Sequence, residues 1–143
     1  MKVLKVQSEQ QLQDAFFIRK KVFVEEQKVS IEEEIDQFED AATHFVAYSD
    51  ENEVIGAARL REVDGYGKIE RVCIDQSQRG TGAGKQLMLF VIDEIQSRGI
   101  KKAKLNAQTQ AENFYKRLGF ETISKETFLD AGIPHVTMTK EWS

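Results

Sequence analysis

The chain predicts a mixed α/β (α+β) domain in which one central twisted mixed sheet of about six to seven strands carries helices on both faces. Three observations predict it. Short apolar-rich runs bounded by turn residues occur over 43–49, 53–61 and 68–74. Longer runs, one after Ser8 and one after Gly84, place apolar residues at three- and four-residue steps. The two patterns interleave along 143 residues with no repeat, no low-complexity segment and no linker. Short apolar runs between turns mark strands, and period 3.6 marks helices. Their interleaving at this length fits one domain, residues 1–143.

The elements follow in order. Residues 2–6, KVLKV, predict a first strand. Ser8 is an N-cap for a helix in which Leu12, Ala15, Phe16, Arg19, Val22 and Phe23 share one face. Arg19 is the exception on that apolar face, set either to snorkel or to enter a cleft. Residues 25–40 are acidic and read as a solvated segment or as one wall of a site for a cation. Two strands, 43–49 and 53–61, flank a turn at Asp50–Asn52, and Asp64-Gly65 makes the next hairpin. In the third strand, 68–74, strict alternation puts Ile69, Arg71 and Cys73 on one face and Glu70, Val72 and Ile74 on the other. A glycine-rich loop and a helix to about Ser97 come next, closed by Gly99. A strand over KKAKLNAQ, a short helix over QAENFYKRL and a final strand pair complete the chain.

Composition excludes several functions. The net charge is −4, with 41% hydrophobic and 31% charged residues mixed along the chain. A nucleic-acid binder would show a basic face. The single cysteine, Cys73, has no internal partner, which fits a reducing cytoplasm. No leader-like start or membrane-length apolar run is present, so a cytoplasmic protein with no membrane partner is expected. His44, Cys73 and His135 lack ligand spacing, so no metal is expected.

The glycine loop is the strongest chemical signal. Arg79-Gly80-Thr81-Gly82-Ala83-Gly84-Lys85 stands between a strand and a helix. A Walker loop fails twice, because Arg79 stands where its first glycine belongs and Gln86 where its hydroxyl belongs. A dinucleotide fingerprint fails at Lys85. What fits is Arg/Gln-x-x-Gly-x-Gly/Ala. There the loop N–H groups and the helix N-terminus cradle a pyrophosphate, and Arg79 and Lys85 add positive charge.

With this loop stand the strand ERVCI before it and Ala111-x-x-x-Tyr115-x-x-x-Gly119-Phe120 after it. The set resembles the GNAT acyltransferase superfamily over roughly residues 43–140. RKKVFVEEQKV and FLDAGIPHVTM are similar to a bacterial subgroup of small GNAT proteins. The resemblance implies a splayed strand pair forming an acyl-CoA cleft, with acetyl-CoA as cosubstrate. It implies that Val72, Cys73 and Ile74 pair through their backbone with the pantetheine arm, and that Gly80, Thr81, Gly82, Ala83 and Gly84 hold the pyrophosphate. Asn106 lies on the other lip of the splay, and Asn113 is a further amide contact. Gln108 replaces an asparagine common in the family, a departure that lengthens the side chain.

The implied reaction is direct acyl transfer to a small-molecule or protein amine. Tyr115 matches the family's tyrosine and would donate to the leaving thiolate. Glu70 is the first candidate base, directly or through water, with Glu26 second. Cys73 as an acyl-enzyme nucleophile is the less favoured route, and His135 reaches the cleft only if the last strand brings it there. The resemblance leaves room for a homodimer. The competing function is an acyl-CoA-binding sensor or interaction module with little turnover.

Overall fold

The structure is a computed structural model that describes residues 1–142, and in them eight strands form one sheet. The strands are β1 (Lys2–Lys5), β2 (Thr43–Tyr48), β3 (Val54–Val63), β4 (Tyr66–Ile74), β5 (Lys102–Gln108), β6 (Glu121–Thr122), β7 (Phe128–Asp130) and β8 (Ile133–Glu141). Their order is β1-β2-β3-β4-β5-β8-β6, with β7 also against the outer edge of β8. Eight strands replace the expected six to seven because residues 120–132 supply two very short ones. Every pair is antiparallel except β4–β5. A parallel pair needs a crossover, and α3 (Ala83–Ser97) supplies it.

Both faces are covered. On one lies α1 (Glu9–Arg19), whose N-cap Ser8 accepts the Gln11 N–H at 3.2 Å. It runs on into a π-helical segment, Lys20–Glu26, and is followed by the short α2 (Ile31–Glu34). Ala15, Ile18 and Val22 pack there on Val46, Ala57 and Cys73. On the other face, α3 buries Leu87, Met88, Val91 and Ile95, at helical spacing, against Phe45 and Leu60. The short α4 (Glu112–Arg117) joins this larger core through Tyr115.

The two expected hairpins form. Asp64 (φ 53°) and Gly65 (φ 82°) are both left-handed between the paired Val63 and Tyr66, the twist that a two-residue hairpin requires. Strict alternation in β4, however, does not hold. Arg59 pairs with Glu70 but Ala57 pairs with Cys73, so β4 carries an extra residue, and Arg71 sits at φ 55°. This bulge turns Glu70, Arg71 and Cys73 to the α1 face, while Ile69, Val72 and Ile74 pack on the α3 face. A left-handed arginine persists only when its surroundings fix it. Its guanidinium does so by donating to the carbonyls of Glu34 at 3.1 Å and Glu33 at 3.0 Å.

The bulge positions the site. Pairing of β4 with β5 runs through Gly67, Lys68 and Ile69, opposite Ala103, Lys104 and Leu105. Beyond that point β4 continues to Ile74 and β5 to Gln108 with no pairing between them. A bulge bends its strand and increases the local twist, which opens the two strands into a V.

The acidic segment is solvated only in part: Glu25, Glu32, Glu33 and Asp40 are exposed, and Glu26 is exposed and lines the cleft. Three of its carboxylates turn inward onto arginines of α1, β3 and β4. Arg19, fully buried, grips Glu34 and Glu39, each at 2.7 Å. Arg59, also buried, forks onto Asp36 at 2.7 and 3.0 Å and reaches Glu70 at 3.0 Å. Burial alone would raise the pKa values of Asp36, Glu39 and Glu70. Hydrogen bonds and charge from Arg59, Arg19 and Arg61 outweigh it and hold all three below the ordinary carboxylate range. Such groups stabilise the fold fully above the unfolded carboxylate pKa of about 4, and that contribution is lost as pH falls through their lower folded values. Thermal stability should therefore be flat from neutral pH to about pH 5 and fall steeply below about pH 4, as calorimetry across pH would read.

Candidate active site

The V between β4 and β5 is the mouth of a cavity of about 580 Å³. Val72, Cys73 and Ile74 form one wall and Leu105, Asn106, Ala107 and Gln108 the other. Tyr115 closes it from α4, Phe23, Glu26 and Gln27 from the π-helical segment, and Ile133 and His135 from β8. The cavity thus runs through the sheet, from the α3–α4 face to the α1 face.

The glycine loop lies at its outer end. Gly80 (φ 82°) and Gly82 (φ 89°) are left-handed, and a Cβ on either would meet nothing within 4 Å. These two glycines serve backbone conformation and leave open space over the loop. Gly84 differs, because a Cβ there would lie 3.2 Å from the Phe114 ring. Gly82 is the N-cap of α3 and offers no side chain to its first N–H groups. Lys85 is exposed in that first turn, and the Thr81 hydroxyl donates to the Gln78 carbonyl. Arg79 stands at the junction of loop and cleft. It donates to the Ile74 carbonyl at 3.1 Å and forks onto Glu26 at 2.6 and 2.9 Å.

Tyr115 is 9% exposed, and no described residue hydrogen-bonds its hydroxyl, which is not closed off from the cleft. Burial, with the neighbouring Cys73, raises its pKa, so the phenol keeps its proton. Cys73 is buried, and burial pushes its thiol up to about 12. A thiol held protonated is a poor nucleophile, which speaks against an acyl-enzyme on Cys73.

Glu70 lines the cleft from the opposite face to the one strict alternation gives. Arg61 forks onto it at 2.7 and 3.0 Å, Arg59 reaches it at 3.0 Å and Lys68 at 3.5 Å. Its partners are Arg59, Arg61 and Lys68, while Arg71 turns to the carbonyls of Glu33 and Glu34. Both carboxylate oxygens are neutralised, so it is a weak proton acceptor. Asn106 accepts a hydrogen bond from Thr137 at 2.9 Å and stays exposed at the lip. Gln108 donates to Gln27 at 2.8 Å across the cleft. Asn113 is exposed on α4 and lies outside the cleft wall.

A family model described as an acetyltransferase (GNAT) domain matches residues 3–142. The chain belongs to the GNAT acetyltransferase family. It is 47% identical over 141 residues to the uncharacterized N-acetyltransferase YjcF of Bacillus subtilis, covering 99% of this chain and 100% of that one. Among solved structures, Escherichia coli ElaA superposes with a TM-score of 0.87 at 26% identity over 99% of this chain and 100% of that one. A GNAT acetyltransferase from Elizabethkingia anophelis, solved with acetyl-CoA bound, shares the fold with a TM-score of 0.75 at 17% identity, covering 99% and 97%. This GNAT chain is thus an N-acetyltransferase, and enzymes of the family act on amines. Among the described residues no helix is long and apolar enough to cross a membrane.

Sequence reasoning missed two features of the site. Nothing in KIERVCI signals the bulge, since arginine is no left-handed residue by habit. The arginine partners of Glu70 were visible only as residues, because strand register decides which of them meet it.

Proposed function

We propose that this GNAT enzyme moves the acetyl group of acetyl-CoA directly to an amine, with Tyr115 donating to the leaving sulfur. The observation that carries the reading is the V opened by the Arg71 bulge. It leaves the β5-facing edge of β4 at Val72, Cys73 and Ile74 unpaired, on a path from the glycine loop to Tyr115, while β3 still pairs with Cys73 and Ile74 on the other edge. An extended, peptide-like arm such as pantetheine pairs with a free strand edge through main-chain hydrogen bonds. The open cradle of Gly80, Thr81, Gly82, Ala83, Gly84 and Lys85, with Arg79 beside it, suits a pyrophosphate. Asn106 and Gln108 offer amides at the far lip. Asn113, outside the cleft wall, gains no support as a contact.

Acetyl-CoA supplies an activated acyl carbon. The chain's own residues orient it, exclude water and manage protons. The amine enters from the α1 face, where the cavity opens between β8 and the π-helical segment. Tyr115, kept protonated by burial, donates to the sulfur as the C–S bond breaks. Glu70 holds the arginines that fix the cleft wall.

Tyr115→Phe tests the reading. Its kcat should fall about 100-fold, in the range for loss of a general acid, while the acetyl-CoA Kd read by calorimetry stays nearly constant. Unchanged turnover would take Tyr115 out of the chemistry, and failure to bind acetyl-CoA in the unsubstituted enzyme would sink the reading itself.

A further inference from the structure

We infer that His135 is the base of the transfer, its Nε2 taking the proton that the acceptor amine must lose; this rests on the acetyl-transfer reading above. His135 Nδ1 lies 2.6 Å from the Ile133 carbonyl oxygen. A carbonyl only accepts, so the ring proton sits on Nδ1 and Nε2 carries the lone pair. The residue is 8% exposed and lines the cavity. No described residue hydrogen-bonds Nε2, and among the described residues the one fully enclosed side-chain atom without a partner is His44 Nδ1. Nε2 of His135 is therefore open to the cleft. The Phe128 ring stacks on the imidazole at 6.0 Å with 25° between planes, which holds its orientation. Register places His135 opposite Gln108, at the end of β5 where the V is widest.

The cleft's other acid–base groups are engaged or exposed to solvent. Glu70 is neutralised by Arg59 and Arg61, and Glu26 by Arg79. Lys68 and Arg71 are cations already paired to carboxylates. Asp130 is exposed to solvent on β7, whereas His135 is 8% exposed. The step balances. His135 Nε2 takes one proton from the protonated amine and passes it to solvent. The freed lone pair on nitrogen forms the C–N bond, the C–S bond breaks, and the sulfur keeps its electron pair and is protonated by Tyr115. The second proton that nitrogen loses as the amide forms replaces, through solvent, the one given by Tyr115, so one proton is released per turnover and neither side chain changes over a cycle.

The test compares two acceptors, butylamine and hydroxylamine, at saturating acetyl-CoA and neutral pH. Butylamine is almost wholly protonated there and needs a base, whereas hydroxylamine is largely unprotonated. His135→Ala should lose about 100-fold or more in kcat/KM for butylamine and far less for hydroxylamine, and free imidazole should restore part of the butylamine rate. His135→Asn, which keeps a donor for the Ile133 carbonyl, should behave alike if the alanine variant fails to fold. Equal losses with both acceptors, with no imidazole rescue, would overturn the inference. Nitrogen NMR of the unsubstituted enzyme gives a separate reading that needs no acceptor. A proton on Nδ1 is expected, and a proton on Nε2 would overturn the assignment. Acetyl-CoA binding without transfer to either amine by the unsubstituted enzyme would overturn both this inference and the reading beneath it, whereas a hydroxylamine-competent enzyme with unaltered His135 variants would overturn this inference alone.

Discussion

Arg59→Met should destabilise the protein by about 3–5 kcal/mol, read as a lower urea midpoint with an unchanged slope. Arg59 is 1% exposed, in the middle of the sheet on β3. It neutralises Asp36 at 2.7 Å, Glu70 at 3.0 Å and Glu39 at 3.1 Å. Methionine fills much of the same space, so the loss comes mainly from carboxylates left without their cation and not from a cavity. Asp36 then keeps Arg71, Glu39 keeps Arg19 and Glu70 keeps Arg61. That shared support is why the cost should not exceed the range for breaking a single buried pair. Adding Asp36→Asn should recover part of the loss, because it removes one stranded charge. The expected coupling is about 1–3 kcal/mol. Strict additivity of the two substitutions would show that Arg59 acts through packing alone. The site should feel the change too, since Arg59 and Arg61 hold the Glu70 wall of the cleft.

This network also shows what the sequence could not disclose. An acidic run from Glu25 to Asp40 looks like surface because its partners, Arg19, Arg59, Arg71 and Arg79, stand elsewhere in the chain. The register of β3 with β4 brings Arg59 and Arg71 together on Asp36. The features set by local chemistry were legible. Asp64-Gly65 dictates its hairpin, Ser8 its helix start, and the strand–glycine loop–helix order fixes the place of the α3 crossover. The V was implied by family resemblance, but its cause is a bulge whose left-handed residue is an arginine held by tertiary hydrogen bonds. For the same reason alternation assigned Glu70 to the wrong face. β6 and β7, two and three residues long, have no periodicity of their own and exist because β8 offers them an edge. His135 was visible as a residue, whereas its tautomer is a matter of one 2.6 Å distance to Ile133.

Gly82→Trp should raise the acetyl-CoA Kd by at least about 100-fold, or about 2.7 kcal/mol, while the fold survives. Two terms must be separated. The first is backbone strain: φ is 89° at Gly82, and a side chain there costs about 1–3 kcal/mol. The second is obstruction: a Cβ meets nothing within 4 Å, so an indole has room to lie over the loop without displacing protein. That room is the space in which a pyrophosphate would meet the first N–H groups of α3, which no side chain caps. Gly82→Ala carries the same strain and little obstruction. It should lower stability about as much as the tryptophan variant yet keep most of the affinity. The pair therefore reads the cradle independently of stability. If both variants lose affinity equally, the left-handed conformation itself, and not open access to the loop, is what the ligand requires. If neither loses affinity, the glycine loop is a structural turn between β4 and α3, and the anion-binding role falls.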